Sequence, residues 1–409
     1  MSERLKRILL ISGFIVLVIV IGFIIWRVFF KPVFRPEAPV VPEAPVVPPT
    51  VGLPPAAPAV PRVTVPVLPP AVAPEAAPSA VARGGITETS NLVNLPVLSP
   101  FLSPDGTTVQ YYNRLDGKFY RVRPDGTIEV LTDKVFFNVS NIVWAPNRER
   151  GILEYPDGSN ILYDFSTGRQ VTLPRHWEQF SFSGDSEKIA FLSMGVDRDS
   201  RWLATASADG AASRPIEPLG DNASKVQVAW SPNDQVIAFS RTGLPQGLSS
   251  QEILFVGREH ENFPSLIANG IGFEGQWSPD GGQILYQVSS AQSDWKPQLW
   301  IASGAPDSIG AGKTPLGLNT WVDKCAFSGA DALYCAVPQN LPRGVGLYPD
   351  AAGQTLDQLW RVNLQTGQHE RVAIPNGNYT IDRVVVSDDE RFLYFTDESS
   401  GQLFKIDLK

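Results

Sequence analysis

Three histidines and two cysteines are all that 409 residues offer for the commonest metal, proton-transfer and thiol chemistry. His176, His260 and His369 stand far apart, so no His-x-x-x-His pair grips a metal from one helical face. Each reads as an ordinary surface residue. Cys325 and Cys335 are too widely spaced for the Cys-x-x-Cys of a zinc or redox site. No Gly-x-Ser-x-Gly elbow raises a serine nucleophile, and no glycine-rich loop cradles a phosphate. Acidic residues are plentiful, and a fold that carries distant ones to a common axis can pair them for glycoside hydrolysis. A hydrolase is therefore kept as an alternative. The expectation is a chain without catalytic residues, cofactor or metal site.

The residues that do recur are structural. Seven short hydrophobic runs each end in a turn of the Ser-Pro-Asp-Gly kind, and a second run follows at once. The turns are Ser103-Pro104-Asp105-Gly106, Ala145-Pro146-Asn147, Ser183-Gly184-Asp185, Ser231-Pro232-Asn233, Ser278-Pro279-Asp280-Gly281, Ser328-Gly329-Ala330-Asp331 and Ser387-Asp388-Asp389. Proline presets φ at the second position of a type I turn, Asp suits the third, and glycine takes the left-handed place that follows. Spread over 85–409, the repeat is about 46 residues long, the period of four-stranded propeller blades. Each repeat offers four β-type runs; in the fifth they cover 273–278, 283–288, 298–302 and 313–318. Trp144, Trp230 and Trp277 recur just before the turn, where they are expected to pack between neighbouring blades.

The seventh repeat shows only three runs, 383–387, 392–397 and 402–408. The stretch Gly85-Ile-Thr-Glu-Thr-Ser-Asn-Leu-Val93 has the character of the fourth runs elsewhere, such as Thr127-Ile-Glu-Val-Leu-Thr132. It is expected to complete the seventh blade, removing the open sheet edge. The expected fold class is thus all-β: a seven-bladed β-propeller of four-stranded blades over 85–409, with an N-terminal strand closing the last blade.

Two different segments precede it. After a short tail, 1–7, the run from Ile8 to Trp26 is 19 residues without a charge. At 1.5 Å per residue it spans roughly the ~30 Å of bilayer hydrocarbon. It is longer than a signal-peptide core and no Ala-x-Ala site follows, so a retained transmembrane helix over 8–30 is expected. Arg4, Lys6 and Arg7 before it nearly balance Arg27, Lys31 and Arg35 after it. The short N-terminus favours a cytoplasmic start and an extracytoplasmic propeller. From 31 to 84 the composition turns to Pro, Ala and Val, with the hexad Pro36-Glu-Ala-Pro-Val-Val repeated from Pro42. Proline at that density forbids helix and sheet and favours an extended, disordered spacer.

The turn followed by a strand such as Val236-Ile237-Ala238-Phe239 resembles the repeat of the TolB-like β-propellers, and that of the propeller domains in the prolyl oligopeptidase and dipeptidyl peptidase families. The likeness covers about 85–409 and is plainest in repeats one, four and five. It departs from the WD repeat, because no Gly-His and Trp-Asp pair frames each blade. The resemblance implies a propeller that binds protein or saccharide. In the peptidase families the catalytic serine lies in a separate hydrolase domain.

Cys325 and Cys335 fall on consecutive strands of the sixth repeat, and a pairing centred on Ala330 sets them opposite one another. Either a cross-strand disulfide or two buried thiols fits that placement. Loops between second and third strands are long in repeats three to six and emerge on one face. The binding candidates there are Asp197, Arg198, Asp199, Arg241, Asp294, Trp295, Lys296, Arg343, Tyr348 and Asp350, with Trp295 the foremost. A net charge of −8 argues against nucleic acid. The expected function is a protein-binding or scaffolding module tethered at a cell envelope, meeting the bilayer through residues 8–26. A carbohydrate- or wall-binding module is the alternative.

Overall fold

The computed structural model describes residues 77–409, save 248 and 354, and four earlier positions, Val16, Val18, Val20 and Ile21, which are helical. Most of the expected membrane span, all but those four positions, and most of the expected linker lie outside the described residues. Among the described residues no helix is long and apolar enough to cross a membrane.

The repeats fold as seven antiparallel sheets of four strands, one per repeat, making a seven-bladed β-propeller. Blade 1 illustrates the plan: Val97–Leu102, Val109–Asn113, Lys118–Val122 and Ile128–Thr132 lie side by side in chain order. First strands of neighbouring blades touch one another, so they line the axis and the fourth strands form the rim. Because the strands alternate in direction, links between second and third strands emerge on the same face as links between blades. We call that the loop face and its opposite the turn face.

Burial follows from this plan. Seven apolar clusters occupy the seven seams between adjacent blades. Phe239 and Phe255 of blade 4, for example, pack on Phe273 and Trp277 of blade 5. Two of the three tryptophans staple a seam by hydrogen bonding as well. The Trp144 indole donates to the Ser99 carbonyl of blade 1 (2.8 Å), and that of Trp277 to Ala229 of blade 4 (3.0 Å). Trp230 packs at the seam of blades 3 and 4 but donates to Asp234 in its own turn (2.7 Å).

Four of the seven turns work through their first and third residues. The Ser278 hydroxyl donates to Asp280 (2.6 Å) and accepts the amide of Gln283 (2.9 Å). Ser183 with Asp185, Ser231 with Asn233 and Ser387 with Asp389 repeat the arrangement, so the third and seventh repeats keep this chemistry despite a degraded motif.

The expected closing strand is divided. Ser90–Val93 pairs antiparallel with Leu403–Asp407 and completes blade 7. Ile86–Thr87 does not join it; it pairs in parallel with the rim strand of blade 6, His369–Pro375, as a fifth strand there. The division has a local cause, since the chain must step from one rim to the next between Thr87 and Ser90. Residues assigned by composition to the linker are also engaged. The amide of Ser79 bonds to Ile86, that of Ala82 to Asp407 of blade 7, and that of Gly84 to Val372 of blade 6.

Candidate functional site

The long loops differ in how firmly they are held. In blade 5, Asp294 and Trp295 both adopt left-handed backbone conformations, and their carbonyls accept the amides of Gly344 (2.9 Å) and Gly346 (2.8 Å) from the blade 6 loop. Gly346 must be glycine, because a Cβ there would fall 1.9 Å from the Ser289 hydroxyl. Trp295 is therefore a half-buried strut between two loops, where sequence reasoning expected an exposed anchor. Lys296 is half-buried at the same bend. Arg343, Tyr348 and Asp350 are exposed on the braced blade 6 loop. Asp197, Arg198 and Asp199 stand apart on blade 3, where Arg198 pairs locally with Asp199 (3.5 Å) and Asp221 (4.0 Å). Arg241 on blade 4 donates to the Ser224 carbonyl (2.6 Å).

Beneath the braced loops, the channel opens on the loop face as a cavity of about 690 Å³ between blades 5, 6 and 7. Its wall carries Glu274, Asp323, Asp350, Asp382 and Glu398, with Trp321, Gln287 and Thr380. Of the expected binding residues, only Asp350 reaches it. β-Bulges in the first strands of blades 5 and 7 lie beside Glu274 and at Asp382, a device that re-aims side chains. The Gln287 amide donates to Glu274 (3.0 Å), while its oxygen accepts the Val322 amide (2.7 Å).

Glu274 and Asp323 are open to the channel but largely walled in by protein. That enclosure raises Asp323 above the ordinary range, and the charge of Asp382 raises it further against the pull of Lys324 and Arg383. Enclosure likewise raises Glu274, with Asp323 adding to the effect and Arg241 opposing it. Lys324 is the one basic residue lining the cavity among the described residues, and it is already engaged. Its ammonium lies 3.2 Å from the fully buried Asp357 and 5.7 Å from the centre of the Trp321 ring. Burial pushes Asp357 up, opposed by Lys324 and the Ile381 amide. Among the described residues no three His, Cys, Asp or Glu side chains converge to hold a metal.

The turn-face end of the channel is a cavity of about 730 Å³ with a different lining, including Phe101, Phe327, Val385 and Arg383. Cys325 lines it, and Cys335 on the next strand outward lies opposite in register, with Cα atoms 4.1 Å apart and sulfurs at bonding distance. His260 lies 3.5 Å from Glu217, and His369 packs on Trp360, both away from the channel.

Exposed apolar side chains are unevenly distributed between the faces. Leu95, Val135 and Phe137 lie in links between blades; Leu115, Val196, Leu244, Leu347, Tyr348 and Leu356 lie in links between second and third strands. All nine therefore belong to the loop face. The other large apolar residues exposed on the described propeller, Ile128, Val130 and Leu254, are on strands. The turn face contributes none.

No family model matches the chain, and no curated protein matches it. Solved structures do. An oligogalacturonate lyase in complex with manganese is 13% identical, covering 78% of this chain and 93% of that one, with a TM-score of 0.53. An oligogalacturonate lyase from Vibrio parahaemolyticus is 11% identical over 78% and 93%, with a TM-score of 0.55. Hydrazine synthase of Kuenenia stuttgartiensis is 14% identical over 77% and 96%, with a TM-score of 0.51. The likeness is one of fold.

Proposed function

We propose that this chain is a recognition or scaffolding module of a cell envelope, a propeller tethered to the bilayer through residues 8–26 and held off it by the proline-rich tract. The carrying observation is the confinement of exposed apolar loop residues to one face of the ring. Apolar loop residues kept to one face mark that face as the one a partner would cover. Braced loops on a rigid scaffold add the preorganisation that binding rewards. A photo-crosslinking amino acid placed at Phe137 or Tyr348 in the native membrane is expected to give discrete protein adducts, and one at Asp105 on the turn face none. Adducts from neither face, or equally from both, would overturn the reading. A chain recovered in the soluble fraction would overturn the tether.

The acidic mouth favours a second reading, a saccharide-binding or hydrolytic site. Oligogalacturonate, named in the two lyase structures, is itself a carboxylate polymer. The carboxylates here oppose such a ligand, so this reading requires a neutral or amino saccharide. A glycan array of both classes probes it, and binding to neutral or amino sugars alone would support it.

A further inference from the structure

The loop face combines two features that arise from different residues. One is its apolar relief, formed by Leu115, Phe137, Leu244 and Tyr348 on four separate loops. Phe137 and Tyr348 are both 73% exposed. The other is a central opening whose charge is one-sided. Glu274, Asp323 and Asp382 face the channel, Asp350 and Glu398 stand at its lip, and Lys324 is committed to Asp357. Arg383 lines the opposite cavity, which Asp323 also reaches, and its charge offsets part of that of Asp323.

Resting on the reading of this face as a binding surface, we propose that it docks a protein whose apolar surface surrounds a lysine or arginine side chain, and that this basic side chain enters the channel mouth. Charge complementarity selects this occupant. A membrane of anionic lipid would meet the carboxylates and be repelled. An apolar protein patch without a cation would enclose like-charged carboxylates that Lys324, Arg383 and Arg241 compensate only in part. A basic side chain supplies the missing charge where low solvent access strengthens its attraction, and the apolar contacts around it exclude water.

The test uses the full chain in detergent micelles, immobilised and panned with a displayed random-peptide library. Enrichment of sequences in which Arg or Lys is flanked by Leu, Phe or Trp is the expected result. A synthetic form of the leading sequence should weaken about tenfold or more when its basic residue is replaced by norleucine. The same loss is expected with Asp323→Asn plus Asp382→Asn, and with Phe137→Ser plus Tyr348→Ser. The norleucine arm needs no protein variant, so misfolding cannot mimic the result. Acidic or neutral winners, no enrichment, or a peptide indifferent to all three changes would overturn the proposal. So would binding to vesicles of anionic phospholipid, or self-association through this face seen by light scattering. Because the selection is made away from the envelope, its failure is distinguishable from failure of the tether or of crosslinking in the membrane.

Discussion

Gly106 shows how one residue secures the ring at the joint between its first and last blades. Its φ is +73°, and a Cβ would fall 2.3 Å from Asp388 Oδ2. Asp388 belongs to blade 7, Gly106 to blade 1, and the Asp388 amide donates to the Gly106 carbonyl (2.8 Å). Arg148 of blade 2 reaches the same carboxylate with two hydrogen bonds, 2.7 and 2.8 Å. Three blades thus meet over one glycine at the seam where the chain's two ends join. Arg148 is itself left-handed, as are Ser186, Asp234 and Glu390 at the matching turn position. Each of these offsets that backbone cost with a side-chain bond: Ser186 accepts the Asn147 amide, Asp234 bonds Trp230 and Arg258, and Glu390 bonds Ser328. Gly106→Ala should cost about 1–3 kcal/mol through strain and the displaced carboxylate. Urea unfolding measures it. In a cycle with Arg148→Met the two losses should fall short of additive, because the alanine already disturbs the ion pair. Strict additivity would show that Asp388 accommodates the methyl group without letting go of Arg148.

At the scale of elements, the blades were legible because their signal is local. Ser-x-Asp turns, alternating strands and tryptophans at a fixed place each act within one repeat or its neighbour. Closure by the N-terminal segment was also legible, since a repeat lacking its fourth strand demands one. The split of that segment was not, because pairing with blade 6 depends on where the rim of a different blade happens to lie. The acidic mouth was equally hidden. Glu274, Asp323 and Asp382 come from three repeats and share no motif; only the ring brings them together. Trp295 misled for a related reason, as its burial depends on Gly346 in another loop. The closing strand carries its own prediction. Val93 is buried with Val97, Val385, Tyr394 and Leu403 at the seam of blades 7 and 1. Deleting 85–95 exposes that cluster and opens a strand edge, so the melting temperature should drop markedly. Deleting 79–84 removes backbone bonds, the Arg371 contact with Gly84 and the marginal packing of Ala82, and should lower it less. Equal effects, or an unchanged melting curve for the longer deletion, would mean that the ring closes by other contacts.

At the scale of the whole propeller, opposing carboxylates set a characteristic response to pH. Asp323 and Glu274 hold protons more readily folded than unfolded. Through them stability is complete below the unfolded range, about 4, and is lost as pH rises through their raised folded values. The turn residues Asp185, Asp280 and Asp389 behave oppositely. Hydrogen bonds from Ser183, Ser278 and Ser387, the largest cause in each case, hold them below the ordinary range. Their contribution is present above the unfolded value and disappears as pH falls through the folded one. The two windows lie on either side of the ordinary carboxylate range. Acidification from neutrality should therefore first raise the melting temperature, as the channel acids take up protons, and then lower it below about pH 4, as the turns lose their anchors. Asp323→Asn separates the two arms. It removes the like charge facing Asp382 and Glu274, so it should raise the melting temperature at neutral pH and flatten the first arm while leaving the acid-side fall intact. A first arm of undiminished height in that variant would place its origin in the net charge of −8 instead of in the channel.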